Sequence, residues 1–572
     1  MTAPLLKVRG YTVDMLARGG ARTLVQSLDF EVSPGETLAI IGESGSGKSV
    51  ATTALVGLAP SAWMRVTAGS ALFEGRELVG LAENELRRLR GNRIGMVFQE
   101  PMSALNPMLP IGDQIAETLV AHRGATWRQA RAEAVRLLEL VRIPDASRRA
   151  GQFPSALSGG MRQRVVIAAA IACRPSLLIA DEPTTALDAT VQGEILQLLA
   201  DLKAAVGCAI VLITHDMTVV RQAADHVAVM QQGRIVERGP RAAILDTPQT
   251  EVTRTLIAAS RPGAEPPETP AVDNPEAPAL SIENLVVSFA RQRGGKLLHR
   301  QQRLFAVDGV SLSIERGETL ALVGESGSGK TTIARAVLGL ISPDAGQVRV
   351  GGRPVAHRPG QGRVQFIFQD PQSSLDPRFR AWESVTEPLR IQGDASDLRE
   401  RAAALFEQVG LDSSHLDRYT HELSGGQRQR LGIARALCAQ PDLVIADEAV
   451  AALDSSTKLQ ILELFLSLQA STRLPMLFVT HDFAVVSRLA HRVAVMRFGQ
   501  LLEIGPTASV LRNPQHAYTQ ALVSAARGAH IALPASAGHR VGVPGSQPAG
   551  RTMCRIALQH FVHVDDPMPS VA

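Results

Sequence analysis

The sequence predicts an α/β protein written twice: two tandem domains, each built on a mostly parallel sheet with helices packed around it. Three observations predict it. The first is internal repetition, which is sought before any other pattern. "TLAIIGESGSGKS" (37–49) returns as "TLALVGESGSGKT" (319–331), "LSGGMRQR" (157–164) as "LSGGQRQR" (423–430), and "LITHD" (212–216) as "FVTHD" (478–482). The downstream offsets agree, since 424 − 158, 448 − 182 and 481 − 215 all equal 266; the glycine-loop lysines differ by 330 − 48, or 282, so the halves carry insertions between that loop and the "FQ" segment. The second is that "TLAII", "SLLIA" and "CAIVLIT", with their counterparts, are near-continuous apolar runs, the signature of parallel strands buried on both faces. The third is that these runs end in glycine loops, acidic turns and His-Asp, which places the chemistry at the carboxyl edge of each sheet.

Composition bounds the class. The chain has 572 residues, 45% hydrophobic and 20% charged, ordinary for a globular protein with large cores. Aromatic residues are only 4% and the net charge is +4, too small and too spread for a nucleic-acid partner, and none is expected. No apolar run approaches the ~18–20 residues that span a bilayer; the longest, around "VVIAAAIAC" (165–173), runs into Arg174-Pro175. "MTAPLLKVRG" lacks a signal peptide's apolar core, so the expectation is a cytosolic chain that docks on a membrane protein. The four cysteines, Cys173, Cys208, Cys438 and Cys554, form no CxxC pair and read as reduced, mostly core residues.

The expected boundaries are a first domain over 1–259, a linker over 260–278, a second domain over 279–526 and a tail over 527–572. The segment "SRPGAEPPETPAVDNPEAPA" (260–279) is too rich in Pro, Ala and Glu to bury a core. The tail shows no period and reads as flexible.

Two glycine loops satisfy G-x-x-x-x-G-K-[ST]: Gly42, Glu43, Ser44, Gly45, Ser46, Gly47, Lys48 and Ser49 in the first copy, and Gly324, Glu325, Ser326, Gly327, Ser328, Gly329, Lys330 and Thr331 in the second. Glycines let backbone N–H groups converge on phosphate oxygens, and the following helix adds its positive end. Lys48 and Lys330 would neutralise the β- and γ-phosphates, with Ser49 and Thr331 as Mg²⁺ ligands. One such match arises by chance; two, each after an apolar strand, do not readily. "LLIADE" and "LVIADE" then end strands in paired acids, with Asp181 and Asp447 suited to the Mg²⁺ shell and Glu182 and Glu448 to a general base. Alone, a strand-end acid pair is more often a helix cap. His215 and His481 each sit 33 residues past their glutamate (215 − 182 and 481 − 448), which favours a γ-phosphate contact over a merely structural histidine. Gln99 and Gln369 place a neutral amide that reaches both Mg²⁺ and an attacking water.

Ser158-Gly159-Gly160 and Ser424-Gly425-Gly426 open a further helix in each copy and make a second anion-binding N-terminus. A domain with its own phosphate loop has no need of it, unless it closes on the nucleotide of the other copy. This combination resembles the ATP-binding-cassette (ABC) ATPases over roughly residues 5–260 and 279–526. The resemblance implies two P-loop NTPase domains of ABC type, each with a RecA-like core, a β-subdomain and a helical signature subdomain, meeting head to tail around two ATP. Site one would then join Lys48, Gln99, Glu182 and His215 to Ser424–Gly426, and site two Lys330, Gln369, Glu448 and His481 to Ser158–Gly160. "FQEPMSALNP", "FQDPQSSLDP" and "NPQHAYTQAL" (513–522) are similar to the ATPase subunits of oligopeptide, dipeptide and nickel importers, here fused in one chain. That implies peptide transport on the cytoplasmic face of the inner membrane, with two integral-membrane permease subunits and an extracytoplasmic binding protein as partners. A cysteine-ligated cluster in the C-terminal extension, present in some members, is not expected with Cys554 alone.

The chain departs from the pattern at two places. "DEAVAALD" (447–454) has Ala449, Val450 and Ala451 where "DEPTTALD" (181–188) has Pro183, Thr184 and Thr185, but it keeps Asp447, Glu448 and Asp454, so the second copy reads as live. Phe289 fits the aromatic that such ATPases set against adenine, whereas the first copy offers Met15, with Tyr11 either a substitute or a core residue. His516 and Tyr518 have no counterparts and read as structural. Three rival readings remain. A ribosome-acting tandem ATPase usually has a long charged linker, a sugar-importer ATPase often loses one catalytic set, and a DNA-repair ATPase carries zinc cysteines. The transported molecule is not written in motor residues; peptides lead by resemblance, with nickel, glutathione-like peptides and opines open.

Overall fold

The computed structural model describes residues 3–17, 20–59, 61, 63–185, 187–260, 266–267, 277–290, 303–355, 363–394, 396–451, 453–527, 541–542, 553–557 and 559–563. Two compact units emerge, Met1–Ser260 and Arg261–Ala572. Of the linker expected over 260–278, only residues 260, 266–267 and 277–278 lie among those described, and Ser260 closes the helix Glu251–Ser260.

The core of the first unit is a six-stranded sheet in the order Arg234–Pro240, His226–Gln231, Thr37–Gly42, Ala209–Thr214, Leu177–Asp181, Ile94–Val97. All pairings are parallel except that of Arg234–Pro240. Every residue of Thr37–Gly42, Leu177–Asp181 and Ala209–Thr214 is buried, which is why these strands show runs rather than alternation. The register sets Ile41 beside Thr214 and Asp181 beside Ile213, so the glycine loop, the acid pair and the His-Asp turn leave the sheet at one edge. A separate antiparallel sheet of Gly20–Val32, Leu6–Ala17, Met64–Phe73 and Arg76–Glu77 packs with the helix Lys48–Leu55 through Leu6, Val8, Phe30, Ala51 and Leu55.

Between the acid-pair strand and its neighbour the chain inserts a helical layer. Ile111–Arg123, Trp127–Leu140 and Gly159–Ile171 bury Ile115, Leu138 and Ile167 in one cluster. Thr126 and Gln129 start the middle helix with a reciprocal capping box. Truncating one such side chain, as in Leu138→Ala, costs about 2–5 kcal/mol.

The second unit repeats the plan. The parallel strands Val364–Ile367, Leu443–Asp447, Met476–Val479, Thr319–Gly324 and Arg492–Arg497 are followed by antiparallel Gln500–Pro506. Its sheet continues to eight strands, the last two drawn from the tail. Met553–Ala557 and His560–His563 form a hairpin, and Glu503 and Ile504 pair with Val562 and Phe561. Val541–Gly542 pairs with Arg303 and Leu304 in the second antiparallel sheet. Strands of four and five residues are too short to show a period, and they pair onto the edge that Gln500–Pro506 offers. Among the described residues, no helix is long and apolar enough to cross a membrane.

Candidate active sites

Each unit builds a site at the carboxyl edge of its sheet. The strand Thr37–Gly42 turns through the glycine loop into the helix Lys48–Leu55. Glycine is required at Gly42 and Gly324, because a Cβ there would lie 2.2 Å from the Met230 and Met496 carbonyl oxygens. Lys48 is buried, and its Nζ donates to the carbonyls of Gly42 and Glu43, both at 2.8 Å. Lys330 makes the same contacts with Gly324 at 2.8 Å and Glu325 at 2.7 Å. The loop thus holds its ammonium group over the first turn of the helix, the end whose dipole favours anions such as phosphate.

The acid pair sits opposite. The Ser49 hydroxyl donates to Asp181 at 3.0 Å, and Thr331 to Asp447 at 3.3 Å. Glu182 and Glu448 have left-handed backbones, φ 46° and 49°, held by their N–H groups donating to Ile213 and Val479 carbonyls at 2.9 Å. Such a conformation is disfavoured for a residue with a Cβ, and here it aims the carboxylate away from the strand. Glu182 accepts from Gln99 Nε2 at 2.9 Å and Thr185 Oγ1 at 2.8 Å, and lies 3.0 Å from His215 Nδ1. Glu448 accepts from Gln369 at 2.6 Å and lies 3.2 Å from His481 Nδ1. The structure therefore gathers glutamate, glutamine and histidine in both copies. Thr185 is the difference: its counterpart Ala451 (451 − 185 = 266) has no hydroxyl, so Glu448 keeps two of the three side-chain contacts.

The electrostatics match the roles. Burial pushes Asp181 up to about 6, against the Ser49 hydrogen bond and helped by the neighbouring Glu182 charge. Asp447 rises for the same first cause, burial, and then the Glu448 charge. Burial also works against Glu182, but the His215 hydrogen bond and charge outweigh it and hold the carboxyl below its usual range; at Glu448 the His481 hydrogen bond is the largest cause of the same result. The Glu182 hydrogen bond raises His215, and Glu448 raises His481 against its burial. Each pairing thus favours the carboxylate beside the imidazolium. An ionised, partly desolvated glutamate at a strand end can take a proton from water, and the glutamine amide beside it can orient that water.

The hydroxyl and carboxylate beside each lysine form a hard-oxygen set of the kind Mg²⁺ takes, with phosphate oxygens and water completing it. Ser49, Asp181 and Gln99, and in the second unit Thr331, Asp447 and Gln369, would hold it. Mg²⁺ would screen charge developing on the phosphates. Of the chain's own residues, the lysine would neutralise the phosphates and the glutamate would hold the attacking water.

Ser158 caps the helix Gly159–Ile171, its Oγ accepting from Met161 N–H at 3.3 Å, and Ser424 caps Gly425–Cys438 through Gln427 at 3.3 Å. Ser158, Gly159, Ser424 and Gly425 are exposed. A Cβ on Gly160 or Gly426 would come within 2.5 Å of Val191 or Thr457, so the glycines serve the close approach of the following helix. Met15 pairs across strands with Met64 and is half-buried, while Phe289, paired with Leu304, is exposed. Tyr11 is fully buried in the core and does not take the aromatic role. Cys173, Cys208 and Cys438 are buried, and burial raises the Cys438 thiol to about 11.

Residues 25–185 and 307–451 match the protein family described as ABC transporter. The chain belongs to the ABC transporter family. Residues 502–548 match a second family, oligopeptide/dipeptide transporter, C-terminal region. The glutathione import ATP-binding protein GsiA of Escherichia coli is 46% identical over 537 residues, covering 88% of this chain and 86% of that one. The protein of the same name from Pectobacterium atrosepticum is 42% identical over 602 aligned residues, covering 98% and 96%. This chain is thus an ABC ATPase with two cassettes.

Three features of the cassettes went unread in the sequence. Asp216 and Asp482 cap the helices after the histidines and bind Gln192 and Lys458. Thr185 braces Glu182. Glu237 and Glu503 each accept backbone N–H groups from the segment ahead of the last helix of the cassette. The steady offset carried the signal for that last pair, since 503 − 237 is again 266.

Proposed function

We propose that this chain is the ATP-hydrolysing motor of an importer for peptide-sized solutes, peripheral on the cytoplasmic face of the inner membrane. It works two integral-membrane permease subunits that an extracytoplasmic binding protein supplies. The observation that carries the reading is that both cassettes hold a complete set of lysine, glutamine, glutamate and histidine, in a chain that also carries the oligopeptide/dipeptide transporter C-terminal region. The solute class is a short peptide, with glutathione first because the relatives are named for its import.

In this reading two ATP molecules are closed between cassettes. Lys48, Gln99, Glu182 and His215 work with Ser424–Gly426, and Lys330, Gln369, Glu448 and His481 with Ser158–Gly160. Exposed, serine-capped helix N-termini in both cassettes support the exchange. The test is a trap. Glu182→Gln with Glu448→Gln is expressed in cells, ATP and Mg²⁺ are added to the membranes, and the copurifying proteins are identified by mass spectrometry. Two multi-span permeases are expected. Ribosomal proteins with no permease would overturn the reading.

A further inference from the structure

The second cassette has a connection between the C-terminal segment and its glycine loop. The Tyr518 hydroxyl accepts a hydrogen bond from the Glu325 backbone N–H at 3.2 Å. Glu325 is the second residue of the GESGSGKT loop, and its carbonyl accepts from Lys330 Nζ. The residue that Tyr518 holds is therefore one that holds the phosphate-binding lysine. Tyr518 is fully buried, with the Arg497 guanidinium 4.4 Å from its ring centroid.

Tyr518 lies in the first turn of the helix Ala517–Ala526, and that turn is fixed from behind. Glu503, fully buried, accepts from the N–H groups of Gln515 at 2.9 Å and His516 at 3.0 Å. His516 Nδ1 accepts from Tyr518 N–H at 3.0 Å. The same Glu503 carboxylate lies 2.8 Å from His560 Nε2, on the strand that the C-terminal hairpin adds to the sheet. Hairpin, Glu503, helix start and glycine loop thus form one hydrogen-bonded series.

The first cassette keeps the glutamate and lacks both ends of the series. Glu237 accepts from Gln249 and Thr250 N–H groups and from the hydroxyls of Thr250 and Thr253, so its own helix closes it. Val252 stands where the second cassette has Tyr518 (518 − 252 = 266). Thr519 is the counterpart of Thr253 (519 − 253 = 266), and its buried Oγ1 has no hydrogen-bond partner among the described residues, while His560 lies on the other carboxylate oxygen of Glu503, Oε1.

We propose that Tyr518 is a positioning residue for the phosphate site of the second cassette, and that the C-terminal hairpin sets ATP affinity there through Glu503. The inference rests on the second cassette binding ATP. A rigid loop presents its N–H groups and Lys330 without further ordering on binding, so loosening it weakens affinity before it alters chemistry.

The experiment uses the full chain with Lys48→Ala, which silences the first site, titrated with trinitrophenyl-ATP and Mg²⁺. Tyr518→Phe keeps the ring and removes the hydroxyl. It is expected to raise Kd about fivefold, the weight of one buried hydrogen bond, with the melting temperature unchanged. His560→Ala is expected to raise Kd about threefold alone and to add little on top of Tyr518→Phe, because both act on one series. Val252→Ala, made with Lys330→Ala, should leave first-site affinity unchanged. An unchanged Kd in Tyr518→Phe would overturn the inference. Fully additive effects of Tyr518→Phe and His560→Ala would overturn the part given to the hairpin. Absence of any binding to Lys48→Ala would overturn the live second site and the inference with it.

Discussion

The two cassettes place the same chemistry and support it differently. Around the strand-end glutamate they agree in kind: an amide at 2.9 or 2.6 Å, an imidazole at 3.0 or 3.2 Å, and a left-handed backbone in both. Away from it they diverge. The first sheet ends at Arg234–Pro240, whose residues alternate between exposed and half-buried, while the matching Gln500–Pro506 is covered by a hairpin and buries five residues in a row. Val236 is 37% exposed, and its counterpart Leu502 is 6% exposed. Replaceable parts are those whose loss leaves no charge unpaired. Ala451 forgoes a hydroxyl contact at no desolvation cost, whereas loss of His481 would leave the half-buried Glu448 carboxylate without its imidazole partner.

The comparison can be broken at graded cost. The largest effect is expected from the histidines: His215→Ala or His481→Ala should each lower ATP turnover about 100-fold, measured as steady-state phosphate release. A drop confined to one of them would show that the cassettes share geometry without sharing work. A smaller effect should follow from exchanging the one contact that differs. Thr185→Ala should lower turnover about fivefold, the weight of one hydrogen bond to a carboxylate, and Ala451→Thr should leave it unchanged or raise it up to about fivefold. The smallest is at the base. Met15→Phe should improve the preference for ATP over GTP about twofold in binding competition, and Phe289→Met should reduce it by the same factor.

The plan of the fold was legible because each signal was local and doubled. Buried parallel strands showed as apolar runs, and the glycine loops, acid pairs and His-Asp turns marked their ends. The grouping of Lys48, Asp181, Glu182, Gln99 and His215 was legible through the constant offset, which tied segments far apart in sequence to one repeat. What escaped was whatever depends on a neighbour the pattern cannot name. The hairpin strands Met553–Ala557 and His560–His563 are too short to show a period and pair onto the edge that Gln500–Pro506 offers. Tyr518 read as structural because nothing in "NPQHAYTQAL" reveals that its hydroxyl meets Glu325 across 193 residues of sequence. Tyr11 was open between two roles, and only its complete burial decides for the core.

The central claim is that this chain carries two working catalytic sites despite "DEAVAALD". The most direct test is single-turnover ATP hydrolysis by Glu182→Gln and Glu448→Gln, each made alone in the full chain. Losing the general base should cost about 100-fold or more at the affected site. The account predicts that Glu448→Gln traps unhydrolysed ATP as firmly as Glu182→Gln does. Wild-type hydrolysis by Glu448→Gln would contradict it and leave the second cassette a silent copy.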